Sequence, residues 1–590
     1  MNEAGAALGV ESSLSGRRWV WREAEARTGA AIAERLAVPE LIGRLLAARG
    51  VHQDHAGDFL DPTLRAFLPD PSTLIDMDAA AERIADAVTR GEMVAIFGDY
   101  DVDGACSGAL MAHALRRFGL DVINYVPDRM REGYGPNAPA LSELARRGAR
   151  LIICVDCGTA AHDHFQAFGD AADVVVLDHH KSEGPPPRLI ATVNPNRLDC
   201  RSGLTTICAA AVAFLTMVAV HRILRRRGFF AASREPDLLG LLDLVALATI
   251  CDVMPLTGLN RALVTQGLKV MARRDRPGIA ALLEVAKITE APSAMNCGFG
   301  LGPRINAAGR IAEAELGLRL LLAEDADTAG QLARQLDEVN RQRQAVEAGI
   351  LEEAMEEAAR QFAAGGAVAL IARPDWHPGV VGIIAGRVKE KFNRPALVAG
   401  IGDGCVKGSG RSVPGVDLGA AVIAARQSGL LLTGGGHAMA AGFSTDAARL
   451  EAFGDFLNER LRHAAALPRT TQLSLEGSIA VPGVTPALAT MVARLGPFGA
   501  GNEEPVFVLP RARVVRADRI GRNLTSIRSY VEGEGGGRLK TVLFRTKNEA
   551  LAEAMLRVGG APLHLVGHLR ADQWNGAVSA GFIIADAAPA

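Results

Sequence analysis

The stretch Met93-Val94-Ala95-Ile96-Phe97-Gly98-Asp99-Tyr100-Asp101-Val102-Asp103-Gly104 sets three alternating carboxylates directly after an apolar run. An apolar run that ends abruptly in acids predicts a buried strand, 94–97, that delivers side chains to a loop at its carboxyl edge. Three like charges in one loop repel one another and lose hydration unless a cation lies among them. Taken alone, the stretch could also be a solvated acidic turn, so the rest of the chain decides.

Helix-like and strand-like segments alternate around this stretch. The pattern predicts helices at 79–90, 107–118 and 138–147, and strands at 94–97, 121–126, 151–155 and 174–177. Such alternation is typical of an α/β protein with a doubly wound parallel sheet. Ligands of these sheets bind at the carboxyl ends of the strands. The loops that follow the strands are therefore the expected place for a functional site.

The remaining chain predicts a long helix and two further domains. Residues 325–364 lack proline and carry apolar residues at helical spacing, which predicts a helix on the order of 50 Å that joins two domains. A second α/β pattern follows, and short strand-like segments at 506–509, 513–516, 541–544, 563–569 and 578–584, with a hairpin loop at 533–537, then indicate an OB-type β-barrel. The predicted units are an N-terminal extension at 1–78, a first α/β domain at 79–324, the helix at 325–364, a second α/β domain at 365–466 and the barrel at 467–590.

Composition limits the class of protein. The chain has 590 residues, 49% of them hydrophobic and 22% charged, with a net charge of −2, which argues against a protein that coats nucleic acid or membrane over its whole surface. The chain start lacks a secretion pattern and the cysteines are scattered, so a cytoplasmic protein with reduced thiols is expected. The apolar run 207–220 fits a buried helix better than a membrane span. Trp19 and Trp21 are expected to be exposed.

Further candidate metal ligands follow other predicted elements. Asp156 follows the predicted strand 151–155, Asp178-His179-His180 follows the predicted strand 174–177, and Asp252 follows the apolar segment 241–250. Each has a simpler interpretation alone, since Asp178 could cap a helix, His179 could be a core histidine and Asp252 could be a loop residue. Together with the three acids of the first loop, they favour a single metal centre at the sheet edge.

The mixture of carboxylates and imidazoles indicates the metal and the chemistry. Such ligands suit Mn²⁺ or Mg²⁺ and do not suit a thiolate zinc site. A cluster this acidic has room for two cations, which can together activate water and hold the oxygens of a phosphoryl displacement. The predicted reaction is phosphoester hydrolysis. Asp156 is the expected shared ligand because it stands alone after its strand.

These motifs resemble the DHH phosphoesterase superfamily, and several others resemble its RecJ branch. The further motifs are the segment 301–310, Trp376-His377, the segment 379–387, and the segments 408–412, 434–442 and 496–502. The resemblance extends over nearly the whole chain from about Leu74. It implies a single-stranded-DNA-specific exonuclease that degrades from the 5′ end, releases mononucleotides, needs Mn²⁺ or Mg²⁺ and acts in recombination and repair.

The resemblance also implies residue roles and partners. The residues that match metal ligands are Asp99, Asp101, Asp103, Asp156, His179 and Asp252. His180 matches a position that either ligates or orients, and it completes the expected catalytic set. Single-stranded DNA is the expected partner, a single-strand-binding protein and a RecQ-type helicase are further candidates, and no membrane role is expected.

The second α/β domain is expected to hold a phosphate. Gly434 to Gly442 surround His437, and glycines let backbone N–H groups approach an anion. Arg411, between glycine and serine, fits a phosphate fork, although a tight turn with a structural histidine is the alternative. The expected substrate-binding residues are Arg304, Asn306, Arg310, His377, Ser409, Arg411, Gly435, Gly436 and His437. In the family this lobe holds the 5′-terminal phosphate.

The barrel is expected to track a single strand. Between residues 511 and 547 its basic residues are Arg511, Arg513, Arg516, Arg519, Arg522, Arg528, Arg538, Lys540, Arg545 and Lys547, against Asp518, Glu532 and Glu534. A local basic excess suits a phosphate backbone, and Tyr530, Phe544 and Trp574 are candidates for base stacking. Two other functions stay open: a DHH enzyme for small phosphoesters, and a non-catalytic scaffold of the same fold.

Overall fold

The computed structural model describes residues 5–129, 131–182, 184–231, 234–402, 404–466, 471–521, 523–574 and 577–590, and only the backbone of 464–466, 573–574 and 577. The N-terminal region comprises β1 (Arg18–Trp21), α1 (Ala26–Leu36), α2 (Glu40–Ala47), α3 (Ala56–Leu60) and α4 (Leu64–Phe67).

The first α/β domain is built on a five-stranded parallel sheet. Its strands are β2 (Val94–Gly98), β3 (Val122–Tyr125), β4 (Leu151–Val155), β5 (Asp173–Leu177) and β6 (Ala191–Val193), in the order β3-β2-β4-β5-β6. Its helices are α5 (Met77–Arg90), α6 (Val102–Arg117), α7 (Ala138–Arg146), α8 (His162–Phe168), α9 (Ala209–Arg226), α10 (Leu242–Cys251), α11 (Gly258–Met271), α12 (Pro277–Val285), α13 (Gly302–Ile311) and α14 (Leu316–Leu322). The predicted α/β class is confirmed. β2 and β4 are buried along their whole length because helices cover both faces of the sheet.

Two details of this domain bear on the sequence analysis. Helix α6 begins at Val102, five residues before the predicted start at 107, because Asp101 caps it. Asp103 therefore lies in the first helical turn and not in a loop. The apolar run 207–220 belongs to the buried helix α9, and we find no candidate membrane span among the described helices.

A single long helix leads to the second α/β domain. The helix α15 (Ala326–Ala363) packs against α12, α13 and α14 on one side of the junction and against α16 and β7 on the other. The second domain contains α16 (Pro378–Phe392), α17 (Leu418–Gln427) and α18 (Leu450–Ala466). Its mixed sheet has the order β10-β11-β9-β8-β7, with β7 (Ala369–Pro374), β8 (Ala396–Gly402), β9 (Cys405–Arg411), β10 (Thr433–His437) and β11 (Ala440–Asp446).

The C-terminal domain is a closed five-stranded barrel, as expected for an OB fold. The domain comprises β12 (Gln472–Leu475), β13 (Gly477–Ser478), α19 (Pro486–Ala493), β14 (Phe507–Ile520), β15 (Ser526–Gly533), β16 (Gly536–Leu543), α20 (Glu549–Leu556), β17 (Leu563–Trp574) and β18 (Ala577–Pro589). The barrel strands run in the order β14-β15-β16-β18-β17, and β17 pairs with β14 to close the ring. The predicted hairpin loop connects β15 and β16.

The prediction of separate strands at 506–509 and 513–516 is wrong. Both belong to β14, whose pairing with β17 shifts between Leu509 and Ala512, where Arg511 has a φ of 50°. A bulge of this kind bends a strand without ending it. Strand β15 was not predicted, because the polar residues Ser526 and Ser529 stand at buried positions and leave the apolar alternation incomplete.

The expectation that Trp19 is exposed is also wrong. Strand β1 pairs in parallel with β12, and Trp19 is 0% exposed. Its Nε1 donates to the buried Asp586 carboxylate at 3.1 Å, and its ring packs on Val508 and Val566 of the barrel. The N-terminal segment is therefore part of the core beside the barrel. Trp21, two residues on, is 41% exposed.

We expect Trp19→Ala to destabilise the C-terminal domain by about 3–5 kcal/mol, because the change leaves a large cavity and removes a hydrogen bond from a buried carboxylate. Trp21→Ala should change the free energy of unfolding by less than about 0.5 kcal/mol. Urea denaturation followed by circular dichroism measures both. An equal decrease in the free energy of unfolding in both variants would contradict the burial of Trp19 in the core.

Candidate metal centre and nucleic-acid interface

Acidic and imidazole side chains converge at the carboxyl edge of the first parallel sheet. Asp99 follows β2, Asp156 follows β4 and Asp178 follows β5, and these three strands are direct neighbours. Asp252 reaches the same place from the C-terminus of α10. The edge is thus formed by short loops on a rigid sheet, which fixes the positions of its side chains.

The loop after β2 turns directly into α6. Asp101 accepts a hydrogen bond from the Gly104 N–H at 3.0 Å. Asp103 accepts the N–H groups of the first two residues of α9 at 2.7 and 2.9 Å. A Cβ atom on Gly104 would lie 2.4 Å from the Asp99 carbonyl oxygen. Only glycine therefore fits this turn, and its backbone fixes the relative positions of the three acids.

Asp156 stands at the centre of the edge in a strained conformation. Its φ of 60° is unusual for a residue other than glycine. The Asp156 N–H donates to the Leu177 carbonyl at 3.0 Å, and its own carbonyl accepts the Tyr134 hydroxyl at 3.0 Å. These bonds hold the backbone, and the side chain is 2% exposed. Strain of this kind is often found where a side chain must be aimed at a ligand.

Asp178 orients His180 and does not cap a helix. Its carboxylate accepts the Thr159 N–H at 3.0 Å and the His180 ring Nδ1 at 2.8 Å. Burial raises the pKa of Asp178, but these hydrogen bonds outweigh burial and hold the pKa below its usual value. Burial likewise lowers the pKa of His180, and the bond to Asp178 more than compensates, raising it to about 9.

His179 occupies the middle of the carboxylates. Its Nε2 lies 3.6 Å from Asp103, 3.3 Å from Asp156 and 3.4 Å from Asp252. The Asn196 side-chain amide donates to the His179 carbonyl at 2.6 Å and fixes the backbone. By contrast, His180 Nδ1 lies 3.9 Å from Asp156 and already contacts Asp178. The two histidines therefore differ in their surroundings, which the sequence analysis left open.

Three overlapping groups of donor atoms could each hold a metal ion. Within each group the candidate atoms lie within 4.8 Å of one another. The groups are Asp99, Asp101 and Asp156; Asp103, His179 and Asp252; and Asp156, His179 and His180. One buried oxygen each of Asp99, Asp156 and Asp252 has no hydrogen-bond partner. Such oxygens are costly to bury unless a cation binds them.

The protonation equilibria of the cluster indicate the same need for positive charge. Burial raises the pKa of Asp99 to about 7, and the charge of Asp101 adds to the effect. Burial raises the pKa of Asp252 to about 8, with Asp103 as the next cause. Burial, followed by the charge of Asp103, raises the pKa of Asp156 well above its usual value. An oxygen-rich donor set with one or two imidazoles fits Mn²⁺ or Mg²⁺.

Two side chains beside the cluster were missed by the sequence analysis. The Tyr134 hydroxyl lies 3.1 Å from His180 Nδ1, and the Arg129 guanidinium lies 5.0 Å from the centre of the Tyr100 ring. Both come from the segment after β3, which has no apolar periodicity. The signal available in the sequence was the run of charged and glycine residues from 128 to 135.

Arg310 connects the metal cluster with the second domain. Its Nη1 donates to the Gly379 carbonyl at 2.9 Å, at the start of α16. Burial lowers the pKa of Arg310 to about 10, and three nearby arginines lower it further, whereas Asp101 opposes them. Those three are Arg129, Arg343 and Arg411. Positive charges from the first domain, α15 and the second domain therefore lie together beside the acidic cluster.

Arg411 and His437 share one face of the second sheet. Both pair with Ala440 of β11, from opposite sides, and paired residues of antiparallel strands point to the same face. The small Ala440 leaves space between them. Arg411 Nη1 also donates to the Ser409 hydroxyl at 2.9 Å. The segment 434–442 is thus a strand hairpin with an exposed histidine, and not the compact turn considered above.

The other predicted substrate residues are more dispersed. Arg304 donates to Asp337 of α15 at 2.9 Å, so its charge is neutralised. His377 caps α16 by accepting the Gly379 N–H at 3.1 Å. Asn306 lines the cavities beside α13. Gly435 and Gly436 lie in β10, next to the exposed His437.

The outer face of the barrel is less basic than its composition indicates. Nine of the ten cations lie among the described residues, and five of these nine have a carboxylate partner: Arg511, Arg516, Arg528, Arg538 and Lys540. Tyr530 lies between Arg516 and Lys540 in one row across β14, β15 and β16. Phe544 is 58% exposed. Arg522 and the Trp574 side chain lie outside the described residues.

Family models match three parts of the chain. They are described as "DHH family, N-terminal domain" over residues 93–249, "DHHA1 domain" over residues 364–463 and "RecJ OB domain" over residues 475–586. The matches fall on the first parallel sheet, the second α/β domain and the barrel. The metal cluster therefore lies mainly in the DHH match, and the face with Arg411 and His437 lies in the DHHA1 match.

Known proteins are similar over most of the chain. The single-stranded-DNA-specific exonuclease RecJ of Dickeya dadantii is 40% identical over 522 residues, which are 85% of this chain and 88% of that protein. The protein of the same name from Escherichia coli is 36% identical over the same shares. The crystal structure of RecJ in complex with Mn²⁺ from Thermus thermophilus superimposes with a TM-score of 0.79 at 29% identity and covers 96% of this chain and 79% of that one. The chain belongs to the RecJ family of DHH proteins.

Proposed function

We propose that this protein is a 5′→3′ exonuclease specific for single-stranded DNA. It hydrolyses the terminal phosphodiester, releases 5′-mononucleotides, and serves DNA recombination and repair in the cytoplasm. The observation that carries the proposal is the buried cluster at the sheet edge, in which oxygens of Asp99, Asp156 and Asp252 lack hydrogen-bond partners. Relatives named single-stranded-DNA-specific exonuclease match 85% of this chain.

The cluster would hold two divalent cations, Mn²⁺ or Mg²⁺. One set of donors is Asp99, Asp101 and Asp156, and the other is Asp103, His179 and Asp252. Asp156 is the proposed shared ligand because its Oδ1 also lies 3.3 Å from His179. Bound cations would lower the pKa of a water and stabilise the displaced oxygen. His180, fixed by Asp178, is the proposed positioning residue.

The direction of digestion follows from the arginines beside the cluster. Arg310 and Arg411 come from different domains, and the charge of Arg411 lies close enough to lower the pKa of Arg310. A terminal phosphate there would be held next to the acidic cluster by charge-assisted hydrogen bonds. The first phosphodiester of the strand would then lie over the metal site, so each cut releases one nucleotide.

The test compares three substrates with Mn²⁺ present. A 5′-phosphorylated single strand of about 30 nucleotides should be degraded from its 5′ end, whereas a blunt duplex of the same sequence should persist. EDTA should abolish digestion and excess Mn²⁺ should restore it. Cleavage confined to dinucleotides would instead indicate a small-phosphoester enzyme, and metal binding without hydrolysis would indicate a scaffold.

Removal of the proposed phosphate ligands should weaken recognition of the 5′ end. We expect Arg411→Ala to reduce the preference for 5′-phosphoryl over 5′-hydroxyl strands by about 10- to 100-fold, the value of a charge-assisted hydrogen bond. His437→Ala should reduce it less, because His437 is exposed. Ratios of kcat/KM for the two strands measure the effect. Arg426→Ala, an exposed arginine of α17, serves as control, and an unchanged preference in Arg411→Ala would rule out this role.

The predicted protein partners rest on family resemblance alone. A single-strand-binding protein and a RecQ-type helicase remain proposals, since both supply or expose single strands. Titration of the full chain with each partner on a gapped duplex would test them.

A further inference from the structure

The segment 496–502 is a motif of the sequence to which the proposed function assigns no role. It connects α19 to β14 in the C-terminal domain. The Gly499 N–H donates to the Asn502 carbonyl at 3.0 Å, and the Asn502 N–H donates to the Gly499 carbonyl at 3.2 Å. The buried Asn502 side chain also donates to the carbonyls of Leu495 and Pro497, each at 2.9 Å. The backbone of this segment is therefore fixed by its own hydrogen bonds, and we call it the clamp turn.

The clamp turn packs against the loop of the first domain that joins α10 to α11, residues 252–257. The Leu256 N–H donates to the Ala500 carbonyl at 2.7 Å, so the backbones of the two domains are hydrogen-bonded to each other. Gly501, the next residue of the clamp turn, has a φ of 68°. A Cβ at Gly501 would lie 2.9 Å from the Pro255 Cβ and 3.3 Å from the Pro255 Cα. Any side chain at this position would therefore push the α10–α11 loop away.

A buried arginine of α11 anchors the residues that precede the clamp turn. Arg261 is 1% exposed, and its Nη1 and Nη2 donate to the Leu495 and Arg494 carbonyls at 2.7 and 3.1 Å. These carbonyls lie at the C-terminal end of α19, where carbonyls lack partners within the helix and carry partial negative charge. The same guanidinium lies 4.1 Å from the centre of the Phe59 ring. The clamp turn is therefore attached to the first domain through α11 as well as through the loop before it.

The α10–α11 loop contains a strained residue directly after Asp252. Val253 has a φ of 58°, which is an outlier for a β-branched residue. Its side chain is 69% exposed, so packing of that side chain does little to offset the strain. Such a conformation persists only where the surrounding structure holds it. Asn260 supports the loop from within the first domain by donating to the Pro255 carbonyl at 3.0 Å, and the clamp turn supports it from the C-terminal domain.

Asp252 depends on this support more than Asp103, another of the proposed metal ligands. The Asp103 carboxylate accepts two backbone N–H groups, which fix its position. The buried Oδ2 of Asp252 has no hydrogen-bond partner among the described residues, although it lies 3.4 Å from His179 Nε2. The position of the Asp252 carboxylate is therefore set by its backbone, and hence by the loop that follows it.

We propose that the clamp turn is a positioning element for Asp252, and that the C-terminal domain in this way strengthens metal binding by the first domain. The inference rests on the proposed function, in which Asp252 binds a divalent cation together with Asp103 and His179. When the clamp turn holds the α10–α11 loop, Val253 keeps its left-handed conformation and Asp252 faces the other two donors. Loss of this contact lets the loop relax and moves the carboxylate away from them. Groups that orient a metal ligand are worth about 10- to 100-fold in metal affinity.

The test replaces Gly501 by alanine in the full chain. Calorimetric titration with Mn²⁺ in the absence of DNA should show that one of the two ions binds about tenfold more weakly, or worse. On a 5′-phosphorylated single strand, the Mn²⁺ concentration that gives the half-maximal rate should rise by the same factor. At saturating Mn²⁺, kcat should stay within about twofold of wild type, because mass action restores the metal-bound arrangement.

Gly559→Ala is the matched control. Gly559 lies in the same domain with a φ of 70°, but a Cβ there would meet no described atom within 4 Å. Both variants thus place alanine in a left-handed conformation, and only Gly501→Ala pushes the α10–α11 loop. Gly559→Ala should therefore bind Mn²⁺ as wild type does. Equal Mn²⁺ affinities in the two variants would overturn the proposal.

A milder variant covers the case in which Gly501→Ala does not fold. Gly499→Ala should weaken Mn²⁺ binding by a smaller factor, because a Cβ there would lie 2.8 Å from a methyl group at the flexible end of Leu256. If Gly501→Ala does not fold, a wild-type Mn²⁺ affinity in Gly499→Ala overturns the proposal in its place. Wild type that binds Mn²⁺ but cuts no strand would refute the proposed function alone, since these titrations need no DNA.

The strain at Val253 provides a second, independent test. Asparagine tolerates a positive φ better than valine does, so Val253→Asn should let the loop keep its conformation with less support. Combined with Gly501→Ala, it should restore most of the lost Mn²⁺ affinity. A double variant that binds Mn²⁺ no better than Gly501→Ala would overturn the link from the clamp turn through Val253 to Asp252.

Discussion

Asp156→Asn will lower kcat on a 5′-phosphorylated single strand by about a thousandfold or more and leave the affinity for DNA within a fewfold of wild type. Asparagine has nearly the same size and tolerates the positive φ of this position better than most residues. The variant should therefore keep its fold. It loses the negative charge that would hold two cations side by side, and cation stabilisation of this kind contributes several kcal/mol to catalysis.

Three measurements check this result. Single-turnover cleavage gives the rate, fluorescence anisotropy with EDTA gives DNA affinity, and calorimetric titration with Mn²⁺ gives the number of bound ions, which should fall. Asp163→Asn, an exposed acid of α8, is the matched control and should retain full activity. Near-normal turnover of Asp156→Asn would count against a shared ligand. Normal Mn²⁺ binding with lost turnover would place Asp156 in catalysis but not in metal binding.

The metal cluster could be predicted because it depends on a simple topological rule. Strands β2, β4 and β5 are parallel neighbours, so the residues after them must meet at one edge. Local sequence indicates where each strand ends, and this rule predicts that the residues after those ends lie close together. Asp252 could be added because an acid ended a strongly apolar helix. The roles of His179 and His180 could not be separated, since their difference lies in the hydrogen bond from His180 to Asp178.

What the sequence analysis missed depends on contacts between distant segments. Trp19 is buried only because β1 pairs with β12, more than 400 residues away, and no local pattern shows such a pairing. Tyr134 and Arg129 lie in a segment without periodicity, and their position depends on the fold around Asp156 and Tyr100. The balance of charge on the barrel likewise depends on cross-strand partners, such as Asp572 beside Lys540.

Gly104→Ala is expected to abolish most activity by displacing the acids without removing any of them. A Cβ at this position would lie 2.4 Å from the Asp99 carbonyl oxygen and 2.7 Å from the Asp99 nitrogen. Both are backbone atoms, so relief requires movement of the turn that carries Asp99 and Asp101. Shifts of about 1 Å in a catalytic site cost on the order of a hundredfold in rate. We therefore expect kcat to fall by about a hundredfold or more and Mn²⁺ to bind more weakly.

Gly108→Ala, one turn further along α6, is the matched control. There a Cβ would lie 3.4 Å from a Leu318 methyl group, an ordinary contact. Alanine stabilises a helix interior relative to glycine by up to about 1 kcal/mol, and both substitutions receive this benefit. The two variants are compared in thermal stability, Mn²⁺ titration and cleavage rate. The difference between them is thus the effect of displacing the turn. Because a lower rate in Gly104→Ala with unchanged Mn²⁺ binding would mean that the turn orients substrate and not metal, the titration decides which role the loop plays.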